Sequence, residues 1–404
     1  MDFFDSGLKR GGIAANLTAM YLDANATSPL AEEVWEAMMP WWRDGFHNPS
    51  SVHTGGKKAR AALEQARGQV ADLIGAQEDE IVFTSGGTES INALLRSWDG
   101  LGAEGHFLTT AVEHSAVLRS GEALSRLMLA CGVNEVGALD LSTWQQHLSS
   151  AAFASAMAVN NETGVIMDWQ QASTLAQQYG VPFFCDAVQA LGKIPFSVQE
   201  GAVDAMALSA HKFHGPKGVG ALYVRRGTRF APLLHGGGQE RGLRSGTEAL
   251  PLIVGMGAAA VLAKGRLSEG TMANVSRMRD AFEQAVLAGV MGVRVNGDPS
   301  SRVPNTSHLS FDQCEAAGLL ILLDEKGVAC SAGSACMSGK QHPSHVQKAM
   351  GFSDARAKSS LRFSLSAQNT MEEAMQAAAM VCQAVKKLRS VQGDGVGPVV
   401  IYTP

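Results

Sequence analysis

The sequence shows no apolar run near the roughly 20 residues that a membrane-crossing helix needs, so a membrane protein is not expected. It has no CxxC pair. Its six cysteines are scattered, which excludes a zinc knuckle or a dithiol redox motif and fits reduced thiols in a cytoplasmic protein. Aromatics make up only 6%, too few for a base-stacking platform, and a net charge of −5 leaves no basic field for nucleic acid or acidic membranes. The opening MDFFDSGLKRGGIAANLTAM has early acids and lacks the apolar core of a secretory leader. There is no internal repeat and no low-complexity linker.

Several motifs are missing or misplaced. No GxxxxGK[ST] is present, which excludes P-loop chemistry. GLGAEG (Gly100, Gly102, Gly105) fits GxGxxG, yet it follows a helix and precedes a strand, the reverse of dinucleotide binding. HGGG from His235 resembles an oxyanion loop, but no GxSxG elbow accompanies it. His211 and His214 have no third metal ligand at suggestive spacing, so a structural or phosphate-facing role is expected of them.

What is present is a large folded chain of 404 residues, 46% hydrophobic and 18% charged, with 44 glycines. Residues before Tyr21 read as a tail, packed near the smaller domain or disordered. PLAEEVWEAMMPWW has helical periodicity, HNPSSVHTGG reads as a loop, and KKARAALEQARGQVADLIG places Ala62, Ala66, Val70, Leu73 and Ile74 on one helical face. Short apolar strands then alternate with helices: EIVFT, HFLTT, FASAMAV, VPFFCD, VDAMALSA and GVGALYVRR. This alternation predicts an α/β fold with a mainly parallel sheet flanked by helices over 21–265. Residues 266–404 mix helix and strand and read as a smaller α+β domain.

In such sheets the site lies at the carboxyl ends of the strands, where the polar punctuation SGGTE, EH, NNETG, DAVQ and SAHK falls. Asp186 ends one strand, where a carboxylate can keep a pyridine nitrogen protonated. Lys212 follows another and can bond an aldehyde as a Schiff base. Ser85, Gly86, Gly87 and Thr88 join a strand to a helix and offer amides to a phosphate. Singly these are a helix cap, a surface charge and a capping-box turn. Together, in this order, they are the three handles of pyridoxal 5'-phosphate (PLP).

Over about residues 21–390 the chain resembles the cysteine desulfurases of the IscS/NifS type, within the class V aminotransferases of PLP fold type I. The resemblance rests on YLDANATSP, NPSSVH, EIVFTSGGTESIN, EHSAVL, VNNETGVI, DAVQALGKI, SAHKFHGPKGVGALYVRRG, HGGGQERGLRSGT, CSAGSACMSG, PSHV and SSLRFSLS. It implies roles residue by residue. Lys212 matches the Schiff-base lysine and Asp186 the pyridine partner; Gln189 and Asn161 match contacts to the ring oxygen and substrate. His114 matches the residue stacked on the ring, and Gly87, Thr88, Ser209 and His211 match phosphate contacts. Thr247 matches a phosphate contact given to the other subunit, so a homodimer is expected. Arg362 and Asn48 match contacts to the substrate carboxylate. Cys336, amid small residues suggestive of a mobile loop, matches the cysteine that takes sulfur from L-cysteine as a persulfide, leaving alanine. Cys330 reads as a packed structural thiol. A sulfur-acceptor protein, serving iron–sulfur cluster or thio-cofactor synthesis, is implied as a partner.

The chain departs from the family pattern at Ala24, Ala210, Gln347 and the SLSAQNT stretch, none of them at an expected catalytic group. A related cysteine or selenocysteine lyase and a catalytically silent paralogue stay open as alternatives.

Overall fold

The computed structural model describes residues 20–101, 104–332 and 343–393. The tail before Met20, Gly102 and Cys336 with its surrounding loop lie outside the described residues. The chain begins with β1 (Met20–Tyr21), α1 (Glu32–Arg43) and α2 (Thr54–Ile74). α2 starts inside the expected loop because His53 Nδ1 accepts from Gly56 N at 3.1 Å and caps the helix early. Then come β2 (Ile81–Thr84), α3 (Gly87–Gly100), β3 (His106–Thr110), α4 (Ser115–Glu122), β4 (Met128–Cys131), α5 (Leu141–Leu148), β5 (Ala151–Ser155), α6 (Trp169–Gln178), β6 (Phe183–Asp186), β7 (Ala205–Ser209) and β8 (Gly220–Val224).

These seven strands, β2 to β8, form one sheet in the order β2-β8-β7-β6-β5-β3-β4. Every pair is parallel except those that β8 makes with β2 and β7. The stretch between β7 and β8 is too short for a helical crossover, so β8 returns antiparallel. The turn it makes carries Lys212. Register then brings three strand ends together: Thr84 of β2 and Ser209 of β7 both face Gly220. A Cβ at Gly220 would sit 2.6 Å from Gly86 Cα and 2.5 Å from Leu208 O, so only glycine lets the β2–α3 turn approach this closely.

The rest of the chain runs through α7 (Leu250–Ser268), α8 (Thr271–Gly289), β9 (Val293–Val295), β10 (Thr306–Phe311), α9 (Ala316–Asp324), β11 (Val328–Ala329), α10 (His345–Ala349), α11 (Asp354–Lys358), β12 (Ser360–Ser364) and α12 (Met371–Gly393). β12, β10 and β9 form an antiparallel sheet. Phe282, Leu309, Phe311, Phe363 and Val381 centre its core, which Met20 and Leu22 also join. The large sheet is covered on both faces, one centred on Met206, Phe183 and Met256, the other on Phe107, Phe153 and Phe184.

α7 corrects one expectation: by length and composition it is long and apolar enough to cross a membrane. Its apolarity serves packing, because it lies against α1 and α2 through Ile253, Gly255, Met256, Ala259 and Ala260.

Candidate active site

A cavity of about 330 Å³ opens at the carboxyl ends of the large sheet. It is lined by Gly87, Thr88, His114, Asn161, Asp186, Gln189, Ser209, His211, Lys212 and Arg362, among others. Ten residues singled out in the sequence therefore meet in one place. Asn48 and Thr247 do not line it; both are exposed.

Asp186 is the last residue of β6 and is buried. Its Oδ1 accepts from Val188 N at 3.0 Å. Burial raises its pKa, against the pull of His114, the Val188 hydrogen bond and Lys212. His114 caps α4, its Nδ1 accepting from Ala116 N at 3.1 Å, which places the proton of the neutral ring on Nε2. Burial lowers the pKa of His114 despite Asp186 beside it; Lys212 and His345 lower it further. Burial thus outweighs the mutual attraction of this pair. A cationic ring nitrogen set against Asp186 would reverse the balance for the carboxyl.

Lys212 Nζ donates to the carbonyl oxygens of Asn25 and Ala26, both at 2.7 Å. The first-turn amides of α3 have no intrahelical acceptor, and those of Gly87 and Thr88 border the cavity. His211 Nδ1 lies 3.1 Å from Thr27 Oγ1, and burial with Lys212, Lys217 and Lys193 brings its pKa down to about 4. The neutral ring suits a hydrogen-bonding role. The glycine-rich HGGGQERG stretch is structural here: buried Glu240 pairs bidentately with Arg67 at 2.7 and 2.8 Å and accepts from Phe83 N at 2.8 Å. That pins the loop to β2.

Arg362, on β12, is 3% exposed. Its guanidinium donates to Asn161 O at 2.9 Å and to Asp23 Oδ1 at 2.7 Å. Among the described residues its Nε has no partner. Cys330, nearby, has its thiol pushed up to about 12 by burial, with Asp23 adding and Arg362 opposing. A thiol so held is a poor nucleophile.

The donor set fits PLP: a buried acid for the ring nitrogen, an amine on the turn after the adjacent strand, helix amides for the phosphate, and a buried guanidinium with an orphaned Nε for a carboxylate.

Sequence reasoning missed several residues here. Asn25 and Lys193 join Gln189 and Lys212 in one buried hydrogen-bond network. Glu113 is fully buried beside Asp186, accepting through Oε1 from Thr110 Oγ1 (2.9 Å) and Met157 N (2.7 Å). Burial, then Asp186, pushes its pKa up to about 8. Glu162, its pKa raised by burial, accepts from Ser344 Oγ at 2.5 Å, and His345 Nε2 lies 2.9 Å from Glu113 O. The one available signal was that acids and a lysine sit inside apolar stretches such as AVEH and ALGKI.

The Aminotransferase class-V profile matches residues 20–376. A cysteine desulfurase of Enterobacter agglomerans is 45% identical over 92% of this chain and 94% of its own length. The cysteine desulfurase NifS of Azotobacter vinelandii is 42% identical over 94% and 96%. Among solved structures, a NifS-like protein superposes with a TM-score of 0.86 at 34% identity, covering 92% of this chain and all of its own. SspA in complex with cysteine gives 0.74 at 33% identity, covering 85% and 98%.

Proposed function

The chain belongs to the class-V aminotransferase family, and from that premise we infer that it is a PLP-dependent cysteine desulfurase converting L-cysteine to L-alanine and enzyme-bound sulfur. The observation that carries this reading is the meeting of Lys212, Asp186, His114 and Arg362 on one cavity.

When bound, PLP supplies an electron sink conjugated to the substrate's Cα. The chain supplies the rest. Asp186 holds the ring nitrogen's proton. Gly87, Thr88, Ser209 and His211 hold the phosphate. Lys212 Nζ would hold the aldehyde and, as a free amine, would be the base for the Cα proton. Arg362 receives the substrate carboxylate, its plane held by Asp23 and Asn161 O. His114 would lie against the ring, with the proton of its neutral form on Nε2. Asn161 and Gln189 contact the substrate and ring oxygen.

Cys336 as thiolate attacks the substrate sulfur: an S–S bond forms, the Cβ–S bond breaks, and its electron pair ends with a proton on the methyl of alanine. The products are a persulfide and alanine, with no outside oxidant. Asn48 is assigned a second carboxylate contact. Thr247 is assigned a phosphate contact across a homodimer, supported by its exposure outside the single chain's cavity. A sulfur-acceptor protein would unload the persulfide. The reduced thiol this needs supports a cytoplasmic setting. We divide the chain at 265/266, supported by the separate core around β10 and β12.

The test is alanine and sulfide release from L-cysteine with a reducing thiol, wild type beside Cys336→Ala. Equal alanine and sulfide, lost in the variant, is expected. Sulfide with pyruvate and ammonia, unaffected by the substitution, would overturn the reading in favour of a β-elimination lyase.

A further inference from the structure

Lys193 is 5% exposed and no step above uses it. Its Nζ donates to Asn25 Oδ1 at 2.9 Å and to Gln189 Oε1. Gln189 Nε2 in turn donates to Asn25 O at 2.9 Å, the same carbonyl that accepts from Lys212 Nζ. The Asn25 carboxamide is fixed from both ends: its Oδ1 also accepts from Asn305 Nδ2 at 3.0 Å, and its Nδ2 donates to Thr306 Oγ1 at 2.9 Å and Asn161 O at 3.3 Å. Asn25 therefore cannot turn to release Lys193.

The two ends of a carboxamide are nearly the same shape, so its partners alone decide which end faces where. If the Gln189 amide were reversed, Nε2 would face the Lys193 amine and Oε1 would face the Asn25 carbonyl. The oxygen–oxygen contact would be repulsive in a buried place, as would the Nε2 contact with a protonated Lys193.

We propose that Lys193 is a positioning residue: it sets the direction of the Gln189 carboxamide, so that an N–H rather than a carbonyl oxygen is offered to the ring oxygen of bound PLP. The charged and titratable groups facing Lys193 are Lys212, Arg362, His211 and His214, with Arg266 of α7 lining the same small cavity. Burial, then Lys212 and Arg362, pulls its amine well below the ordinary lysine range. A neutral amine still donates to both oxygens; its lone pair could tolerate a turned amide, but Oε1 of that amide would still face the Asn25 carbonyl.

This inference rests on the PLP reading above. Its readout is the pH midpoint of the bound cofactor's absorbance, titrated without substrate. In Lys193→Met the Gln189 amide loses the partner of its Oε1 and keeps only the Asn25 carbonyl to orient it, so the turned form gains population, the ring oxygen loses donor strength, and the proton shared with the Lys212 nitrogen is held more tightly. The midpoint is expected to rise by about one pH unit, the size of one lost charge-assisted hydrogen bond. Lys193→Gln, which keeps an N–H donor, should stay near wild type. In a Gln189→Leu background Lys193→Met should add no further shift, because the effect passes through Gln189. Circular dichroism checks folding, and Lys193→Leu replaces the methionine variant if that one does not fold. An unchanged midpoint in a folded, cofactor-loaded Lys193 variant would overturn the proposal, as would an undiminished shift in the Gln189→Leu background. A wild-type protein that takes up no PLP would instead overturn the functional reading beneath it.

Discussion

The two walls of the site, each reaching behind the residues that line the cavity, are built on opposite principles. On one, Asn25, Lys193, Gln189, Asn305 and Arg362 spread polarity over amides and cations, each tied to a neighbour. On the other, two carboxyls, Glu113 and Asp186, lie buried beside each other, and Glu113 Oε2 has no partner among the described residues. The first wall is tied together by the protein's own hydrogen bonds, all but Arg362 Nε, and is therefore held in place. The second stays poorly satisfied until a positive group arrives, so burial raises both of its acids. One site thus holds a preformed grip for anions and a recess waiting for a cation, as the phosphate, carboxylate and ring nitrogen of the reaction require.

The sharpest way to break this contrast is to remove the charge from the second wall. Asp186→Asn should lower alanine formation about 10³-fold while PLP stays bound, because the ring nitrogen loses its anion but the anion grip is intact. Loss of cofactor with unchanged turnover per bound PLP would show that the carboxylate serves only retention.

A smaller effect is expected from the first wall. Arg362→Lys keeps the charge but loses the planar fork, so KM for L-cysteine should rise about 10- to 100-fold with kcat little changed. A fall in kcat at constant KM would place Arg362 in the chemical step.

Glu113 tests the second wall through stability, without touching substrate. Its carboxyl keeps its proton up to about pH 8 when folded and loses it near 4.5 when unfolded. The folded state therefore binds the extra proton between those values, and stability falls as pH rises through that window, by up to about 1.4 kcal/mol per unit. Glu113→Gln should remove that slope in urea denaturation between about pH 5 and about pH 8. Equal slopes in both proteins would mean that Glu113 is ionised when folded.

The first-described site residues were legible because the chain marks them locally. Asp186 and Ser209 end short apolar strands, Lys212 and Gly87 follow within three residues of one, and a parallel sheet gathers strand ends on one edge. Helix starts were less legible: α2 begins at Thr54, set by the His53 cap within a stretch that reads as loop.

Asn25 and Lys193 stood in quoted motifs, YLDANATSP and DAVQALGKI, yet nothing local distinguishes their work. The Asn25 side chain donates to partners 136 and 281 positions away, and Lys193 reaches a partner 168 positions away. The same holds for Glu113, in the loop after β3, whose neighbour Asp186 ends β6.

By itself, the sequence determined the alternation of strands and helices, the strand-end residues and hence the chemistry the site can attempt, because those are written in periodicity and in contiguous turns. Tertiary structure alone decided which buried polar groups are satisfied, which way the Gln189 amide faces, and which carboxyl keeps its proton. Those outcomes depend on desolvation and on partners far apart in the chain, and neither exists until the strands are packed.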